Sequence, residues 1–253
     1  MPSIVAPFVP LARPIVTATT TDLADLKGDA LIAALRRRYD VIDTSLECGG
    51  RRFELLRPRS AADMLDEEAF DRDGRIPYWA EVWPAAEILG ERLAAEGRAR
   101  ARAFDLLELG CGVGLLSLVA EANGYRPQRV LASDYYPEAL DFVRANAWKN
   151  DLPEPRTAML DWRSLPADLP TFDRVVAADV LYEPEQVDLV VGAIVRTLAA
   201  DGLALVADPG RPTARRFGER CELAGLCVHR ERLPLLSAGL TMTIDIYSVR
   251  RQS

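Results

Sequence analysis

Apolar and polar residues alternate along the chain in two patterns, short apolar runs and longer stretches with helical spacing. The run FDLLEL (104–109) predicts a buried strand, whereas Val187, Val190, Val191 and Ile194 share one face of a predicted helix. From residue 76 onwards, strands and helices alternate, which predicts an α/β fold with a doubly wound, mostly parallel sheet. Further strands are predicted at 129–134, 156–162, 172–182 and 203–208. Helices are predicted to begin at Pro84, Gly114, Pro137 and Pro184, and helix ends are predicted at Gly97, Gly124 and Asp201–Gly202. Another helix is predicted at 214–221.

The last two apolar runs depart from this alternation. Residues 226–233 and 241–250 both have strand character, and Met242, Ile244 and Ile246 alternate with polar residues in the second run. The segment between the runs is too short for a crossover helix. The two strands are therefore predicted to form an antiparallel pair at one edge of the sheet.

The first 75 residues differ in pattern and are predicted to form an N-terminal extension. This extension is expected to pack on a main domain that comprises residues 76–253. Its predicted parts, in chain order, are an extended arm at 1–20, a helix that Asp22 caps and that ends near Arg38, a β-hairpin with Gly49–Gly50 in its turn, and an acidic helix at 60–70 that ends at the Asp73–Gly74 turn.

Charge and cysteine content restrict the partners. The formal net charge of −7 disfavours nucleic acid, because basic surfaces are what attracts that polyanion. The four cysteines form no CxxC pair and His229 is the single histidine, so no metal site is predicted. Prolines interrupt the apolar start and no apolar stretch reaches about 20 residues, so neither a signal peptide nor a membrane segment is predicted. Reduced thiols suit a domain of this size, and we expect a cytoplasmic protein.

A glycine-rich loop follows the first strand of the main domain. Gly110, Gly112 and Gly114 let the backbone approach a ligand closely, because no Cβ stands in the way. A dinucleotide fingerprint would need glycine at the position of Leu115, and the Gly-Lys-Ser/Thr triplet of a P-loop is absent. Glu108, two residues before the first glycine, would repel a pyrophosphate but attract an ammonium or sulfonium group. The loop is therefore predicted to favour a cationic ligand.

An aspartate ends the next predicted strand. A carboxylate at the position of Asp134 can accept hydrogen bonds from both hydroxyls of a ribose, and strand ends are where open α/β sheets bind ligands. The alternative is that Asp134 caps the helix that follows. We favour the ribose role.

These segments carry a resemblance to a known family. LLELGCGVG (106–114), with ASD (132–134) at the next strand end, resembles class I S-adenosylmethionine-dependent methyltransferases. The resemblance covers residues 76–250 and implies a Rossmann-like seven-stranded sheet with S-adenosylmethionine as the cofactor. It also implies that the glycine loop lies under the methionine moiety, that Asp134 binds the ribose, and that residues 161–162 flank the adenine. The alternative for the tryptophan in that pair is a packing role.

Two further segments resemble one group within this family. PYWAEVWPAAEILGERL (77–93) and AADVLYEPE (177–185) are similar to the protein-lysine methyltransferase group that includes the electron-transfer-flavoprotein β-subunit lysine methyltransferase. DPGR (208–211) resembles a segment of that enzyme and of its bacterial relatives. The resemblance implies a protein substrate with a reactive lysine.

The resemblance also assigns residues to roles. It assigns catalysis to Asp179 and Tyr182, because a lysine ammonium, with a pKa of about 10.4, has no lone pair until it loses a proton, and oxygen atoms must then hold the amine in line. The alternative is a capping role for Asp179 and a packing role for Tyr182. Arg211 either binds a carboxylate of the substrate or cofactor or lies solvated at a helix start. The cofactor-binding residues that the resemblance implies are Trp83, Glu108, Gly110, Cys111, Gly112, Asp134, Tyr135, Asp161, Trp162 and Ala178.

The predicted function is an S-adenosylmethionine-dependent N-methyltransferase that modifies a lysine side chain of a protein. Fold does not fix substrate, so a methyltransferase acting on a small amine or heterocyclic nitrogen is an alternative. Alternatives of another class are an NAD-dependent oxidoreductase and a catalytically silent interaction domain. The presence of both Glu108 and Asp134 beside the glycines disfavours the silent domain.

Overall fold

The structure, a computed structural model, describes residues 23–64, 76–100, 104–125, 129–237 and 239–252. None of the helices in these ranges combines the length and the apolar composition that a membrane crossing needs. The strands are β1 (Val41–Cys48), β2 (Arg51–Pro58), β3 (Leu106–Leu109), β4 (Val130–Asp134), β5 (Arg156–Met159), β6 (Phe172–Ala178), β7 (Leu198–Asp208), β8 (Leu226–Ser237) and β9 (Leu240–Arg251), and the α-helices are α1 (Gly28–Arg38), α2 (Pro84–Arg100), α3 (Leu115–Ala122), α4 (Pro137–Lys149), α5 (Pro184–Thr197) and α6 (Phe217–Leu223).

Seven strands form the central sheet in the order β5-β4-β3-β6-β7-β9-β8. The first five of these are mutually parallel, β9 is antiparallel to β7, and β8 is antiparallel to β9 at the edge. This arrangement confirms the predicted α/β class, the seven strands and the antiparallel C-terminal pair. The chain runs outwards from β3 to β5 and then returns to β6 beside β3. That reversal makes a crevice at the carboxyl ends of β3 and β6, where open α/β sheets bind ligands.

Helices cover both faces of the sheet, which explains why β3 is buried on all four residues. On one face, Leu89 of α2 and Phe142 of α4 belong to one apolar core. On the other face, Val190 of α5 and Phe217 of α6 belong to a second core. Packing of the helices in these two cores holds the strand ends in place, and the strand ends form the crevice.

Three predicted helix ends are wrong. The cap predicted for the first helix, Asp22, lies outside the described residues; the structure has a 3-10 turn at Leu23–Asp25, and α1 begins only at Gly28. The helix from Pro84 continues past Gly97, because this glycine serves close packing: a Cβ there would lie 2.8 Å from the backbone oxygen of Asn123. α5 ends at Thr197, four residues early, because Leu198 already pairs with Phe172 in the sheet.

Several predicted strand bounds are also wrong. β5 ends at Met159 instead of Trp162, and β7 begins at Leu198 instead of Leu203. β6 ends at Ala178 instead of Tyr182, because Asp179 has a left-handed backbone with φ of 59° that no strand continues through. The C-terminal pair is a longer hairpin than predicted, since pairing continues to Ser237 and Leu240. Gly239, with φ of 78°, supplies the left-handed residue that such a tight connection needs.

The N-terminal hairpin is confirmed, with Gly49 and Gly50 at φ of 63° and 74° in its two-residue turn. Asn146 of α4 accepts from Leu56 N at 2.7 Å and donates to Leu56 O at 3.0 Å. Asn150, one turn later, makes the same pair of bonds with Glu54, at 2.9 and 2.8 Å. The two amides thus bond to β2 as a neighbouring strand would. The division of the chain at residue 75 stays a prediction, as does the acidic helix, of which the described part is a 3-10 turn at Ala61–Met64.

The packing of β1 on α2 gives a stability prediction. A Cβ on Gly90 would overlap the Sγ of Cys48, which is buried. We expect Gly90→Ala to lower the free energy of unfolding by about 1 kcal/mol, because overpacking costs more than the helix propensity gained. Urea denaturation of the variant measures this loss.

A matched control exists in α5. Gly192 is exposed and a Cβ there would meet only open space, so Gly192→Ala should raise the free energy of unfolding by about 0.5–1 kcal/mol. In a Cys48→Ala background, Gly90→Ala should also become stabilising. A Gly90→Ala variant that is stabilised in the presence of Cys48 contradicts this account of the packing.

Candidate functional site

A cavity of about 230 Å³ lies at the carboxyl ends of β3, β4 and β6. It is therefore located at the reversal of the strand order. Segments from five parts of the chain meet there, including the turn before α2 and the first turn of α5. Among its lining residues are all twelve predicted site residues: Trp83, Glu108, Gly110, Cys111, Gly112, Asp134, Tyr135, Asp161, Trp162, Ala178, Asp179 and Tyr182.

The glycine loop forms one wall of this cavity. Gly110, Gly112 and Gly114 have φ of 70°, 52° and 93°, in the left-handed region that side chains disfavour. A Cβ on Gly112 would lie 3.0 Å from the carbonyl oxygen of Trp79, and one on Gly110 would lie 3.0 Å from Val180. The loop therefore needs glycine both for its conformation and for its close contacts.

Glu108 lies beneath this loop and is buried. Its Oε2 accepts hydrogen bonds from Ser117 N, at 2.9 Å, and from Ser117 Oγ, so the carboxyl holds the first turns of α3. Burial raises the pKa of Glu108 to about 8, against the opposing effect of the Ser117 bonds. The sequence-based interpretation treated Glu108 as a fixed negative charge. The structure instead indicates a carboxyl that is mainly protonated at pH 7 when no cation lies beside it.

This raised pKa predicts a pH dependence of stability. Between the ordinary value of 4.5 and about 8, the folded protein holds a proton on Glu108 that the unfolded chain lacks. The stability that this group contributes is therefore present at low pH and is lost as the pH rises through that range. The free energy of unfolding should fall by about 1 kcal/mol per pH unit. Glu108→Gln keeps an acceptor for Ser117 but cannot titrate, and it should lose this slope.

The measurement is urea denaturation at pH 5.5, 6.5 and 7.5. The difference in free energy of unfolding, Glu108→Gln minus wild type, should increase steadily with pH. A difference that is constant across these pH values contradicts the raised pKa of Glu108.

Asp134 ends β4 with both carboxyl oxygens anchored. Oδ2 accepts from Gly112 N at 2.9 Å and Oδ1 from Tyr136 N at 3.1 Å. Burial raises its pKa to about 6, while these backbone donors act in the opposite direction. Each carboxylate oxygen has a further lone pair, so the side chain can still accept from a ligand. Asp134 thus bonds to Tyr136, the N-cap residue of α4, without capping that helix itself, and it also lines the cavity.

Asp161 and Trp162 line the cavity beside the glycine loop. The Asp161 carboxylate is paired with Arg163, with Nε at 2.8 Å from Oδ1 and Nη2 at 2.6 Å from Oδ2. The Trp162 ring lies against Gly110. Its Nε1 is buried and has no hydrogen-bond partner in the part of the chain that the structure describes. A buried donor of this kind suits an acceptor atom on a ligand.

Asp179 follows β6 with a strained backbone and a side chain that is only 1% exposed. Its Oδ2 accepts from Ala85 N at 2.9 Å, which caps the first turn of α2, and its Oδ1 lies 2.7 Å from Arg211 Nη1. Burial raises the pKa of Asp179, although Arg211 opposes this. Asp179 therefore caps a helix, but not the next one along the chain. Its carboxylate is buried against Ala85 and Arg211 where Asp179 lines the cavity.

Arg211 pairs with two buried carboxylates of the protein itself, an arrangement that neither sequence-based alternative predicted. Nη1 lies 2.7 Å from Asp179 and 2.8 Å from Asp208, whose side chain is fully buried. The guanidinium also lies 5.9 Å from the centre of the Trp83 ring. Asp208 accepts in addition from the backbone of Gly210 and of Arg211 itself. Arg211 is thus part of an ion network and not a solvated residue at a helix start.

Aromatic side chains form a second wall of the cavity. Tyr78 contacts both Tyr182 and Trp83 edge to face, with ring centres 5.1 and 5.8 Å apart. Trp83 Nε1 donates to Tyr78 O at 2.9 Å, which fixes its ring. Sequence reasoning did not select Tyr78, although its place beside a tryptophan-rich turn was a signal. Sequence reasoning also did not select Gln186, which lines the cavity from the first turn of α5. No sequence signal pointed to this residue.

The family model described as lysine methyltransferase matches residues 71–217. The electron transfer flavoprotein beta subunit lysine methyltransferase of Xenopus laevis is 30% identical over 139 residues, which is 53% of each chain. The protein-lysine N-methyltransferase EEF2KMT of Homo sapiens is 37% identical over 136 residues, covering 47% of this chain and 40% of that protein. The chain thus spans about half the length of the first of these relatives and less of the second.

Solved structures resemble the fold. A TehB-like S-adenosylmethionine-dependent methyltransferase from Corynebacterium glutamicum superposes with a TM-score of 0.50 at 21% identity. The match covers 73% of this chain and 94% of that chain. At this identity the likeness concerns the fold alone.

Proposed function

The chain belongs to the lysine methyltransferase family, and on that premise we propose that it transfers a methyl group from S-adenosylmethionine to a lysine side chain of a protein. One observation carries the proposal: two kinds of wall share a single cavity. The first holds the glycine loop and the anchored carboxyl of Asp134, and the second holds Tyr78, Trp83 and Tyr182. A nucleoside-bearing donor fits the first wall, and a cationic side chain fits the second.

The residues around the first wall fit S-adenosylmethionine. The glycine loop borders the cavity, Asp134 has lone pairs for ribose hydroxyls, and Trp162 Nε1 is a buried donor without an acceptor among the described residues. The cofactor, when bound, supplies the methyl group from its sulfonium. We propose that it is held by the ten residues predicted for it: Trp83, Glu108, Gly110, Cys111, Gly112, Asp134, Tyr135, Asp161, Trp162 and Ala178.

The second wall would bind and orient the lysine. The exposed carboxylates of Glu183 and Glu185 line the cavity and attract an ammonium group, and the aromatic rings then remove water from it. Loss of water favours the neutral amine, whose lone pair is the nucleophile. We assign to Tyr182 a direct role in holding that amine in line. We assign to Asp179 the positioning of the turn that carries Tyr182, through Ala85 and Arg211.

The experiment that tests this proposal uses a lysate from a strain that lacks the gene. Purified protein and radiolabelled S-adenosylmethionine are added, and label is measured in proteins and in the low-mass fraction. We expect label on a protein, with mass spectrometry locating methyl groups on lysine. Label confined to the low-mass fraction overturns the protein substrate in favour of the small-molecule alternative. Calorimetric binding of NAD, without binding of S-adenosylhomocysteine, overturns the methyltransferase proposal itself.

We also propose that this reaction takes place in the cytoplasm. Cys48, Cys111 and Cys221 are buried and unpaired in the structure, which suits a reducing compartment. Fractionation of cells that produce a tagged protein measures the location directly.

A further inference from the structure

We propose that Gln186 is a substrate-binding residue that accepts a hydrogen bond from the substrate's amino group through its Oε1 atom. This inference rests on the proposed function and deepens it, because it names a group on this chain that recognises the acceptor. The ligand class is a primary amine on an extended, positively charged side chain. The role is in substrate binding, next to Tyr182, and not in binding the cofactor.

The position of Gln186 in α5 makes its side chain unusual. α5 has Glu183 as its N-cap, so Gln186 is the third residue of the helix, and its backbone N donates to Glu183 O at 3.2 Å. Glutamine at this position ordinarily turns back and accepts from the backbone N–H of the N-cap residue. Gln186 does not: its Oε1 is buried and has no hydrogen-bond partner within the described ranges of the chain. The side chain therefore does not serve the helix on which it lies.

A buried acceptor without a donor is unfavourable, because it has lost its bonds to water and gained none from protein. Gln186 lines the cavity together with Tyr182 and with the two carboxylates Glu183 and Glu185. An amide oxygen is an acceptor only, so the missing partner is an N–H or O–H donor. The carboxylates beside it favour a donor that carries positive charge. An amino group meets both requirements.

The carboxylates of Glu183 and Glu185 and the amide oxygen of Gln186 act at different stages of substrate binding. Glu183 and Glu185 are exposed, so their attraction extends into solvent and is weakened by salt. Gln186 Oε1 is buried and is neutral, so its contribution is short-ranged and insensitive to salt. It also leaves the amine free to lose its proton, which a buried carboxylate at the same place would oppose.

Gln186→Leu tests the proposal, since leucine has a similar volume and no acceptor. Methyl transfer is measured with radiolabelled S-adenosylmethionine at saturation and a dilution series of proteins from the deletion-strain lysate. We expect about a tenfold higher half-saturating protein concentration, with little change in the maximal rate. We also expect an unchanged calorimetric Kd for S-adenosylhomocysteine. The melting temperature of the free protein should rise by about 2 °C, because an unsatisfied buried amide has been removed.

Two variants make the test specific. Gln186→Glu retains an acceptor and should keep the half-saturating concentration within about threefold of wild type. Gln252→Leu, the same replacement near the end of β9 and far from the cavity, should behave as wild type in every measurement. An unchanged half-saturating concentration in Gln186→Leu overturns the proposal, as does a weakened Kd for S-adenosylhomocysteine or a lowered melting temperature. A wild-type protein that labels no protein overturns the proposed function, and this inference with it.

Discussion

Arg211→Met is expected to lower the free energy of unfolding by about 3–5 kcal/mol, because it leaves two buried carboxylates without their common cation. Asp179 and Asp208 are 1% and 0% exposed in their side chains, and Arg211 Nη1 lies within 2.8 Å of both. Methionine has a similar length and can fill much of the space, so lost packing contributes little. Urea denaturation, monitored by tryptophan fluorescence, measures the change.

Arg215→Met is the matched control, one turn further along and exposed. It should alter the free energy of unfolding by less than about 0.5 kcal/mol. Adding Asp208→Asn to Arg211→Met should recover part of the loss, since one of the two uncompensated charges is removed. Equal stabilities of the Arg211 and Arg215 variants would contradict the importance of the ion network.

The same variant gives a pH test with a defined sign. Burial already raises the pKa of Asp179, and Arg211 holds it down, so the pKa should rise further in Arg211→Met. A carboxyl with a raised folded-state pKa contributes stability at low pH that is lost as the pH increases above the ordinary value of about 4. The stability deficit of Arg211→Met should therefore be larger at pH 8 than at pH 5.5. A deficit that shrinks as the pH rises contradicts this assignment.

Asp134→Ala is expected to weaken S-adenosylhomocysteine binding by about 100-fold, which corresponds to about 3 kcal/mol. If the carboxylate accepts from two ribose hydroxyls, both bonds are lost with it. The variant also removes the acceptor of Gly112 N, which anchors the glycine loop at 2.9 Å. Both effects act in the same direction on affinity. Isothermal titration calorimetry of purified wild type and variant gives the two Kd values.

Asp168→Ala provides the comparison, since Asp168 is exposed and lies outside the cavity. Its Kd should equal that of wild type. Circular dichroism of Asp134→Ala should remain that of a folded α/β protein, because β4 and α4 keep their apolar contacts. A Kd for Asp134→Ala within threefold of wild type would remove this residue from the cofactor site.

Features that depend on local sequence could be predicted. The alternation of strands and helices, the glycine loop and the aspartate that follows β4 are all set by residues near each other in the chain. Gly110, Gly112 and Asp134 were selected because chemistry at a strand end depends on a few neighbouring positions. The structure brings them together in one cavity, and their binding roles stay predictions.

Features that depend on tertiary contacts could not be predicted. Asp179 bonds to Ala85, which is 94 positions away, so its capping role had no local pattern. Gly97 was taken as a helix end because glycine commonly lies there, whereas its actual reason is the close approach of Asn123. Gln186 has the right spacing for a capping residue, and only its buried, unsatisfied oxygen distinguishes it.

The position of β9 between β7 and β8 has a consequence for synthesis on the ribosome. The chain is made from its N-terminus, so β7 and β8 both emerge before the strand that has to separate them. Until β9 is synthesised, the backbone edge of β7 is unpaired, and pairing of β8 with that edge would be non-native. Completion of the sheet therefore waits for Leu240–Arg251, and a nascent chain halted before that segment exposes a pairing edge to other chains.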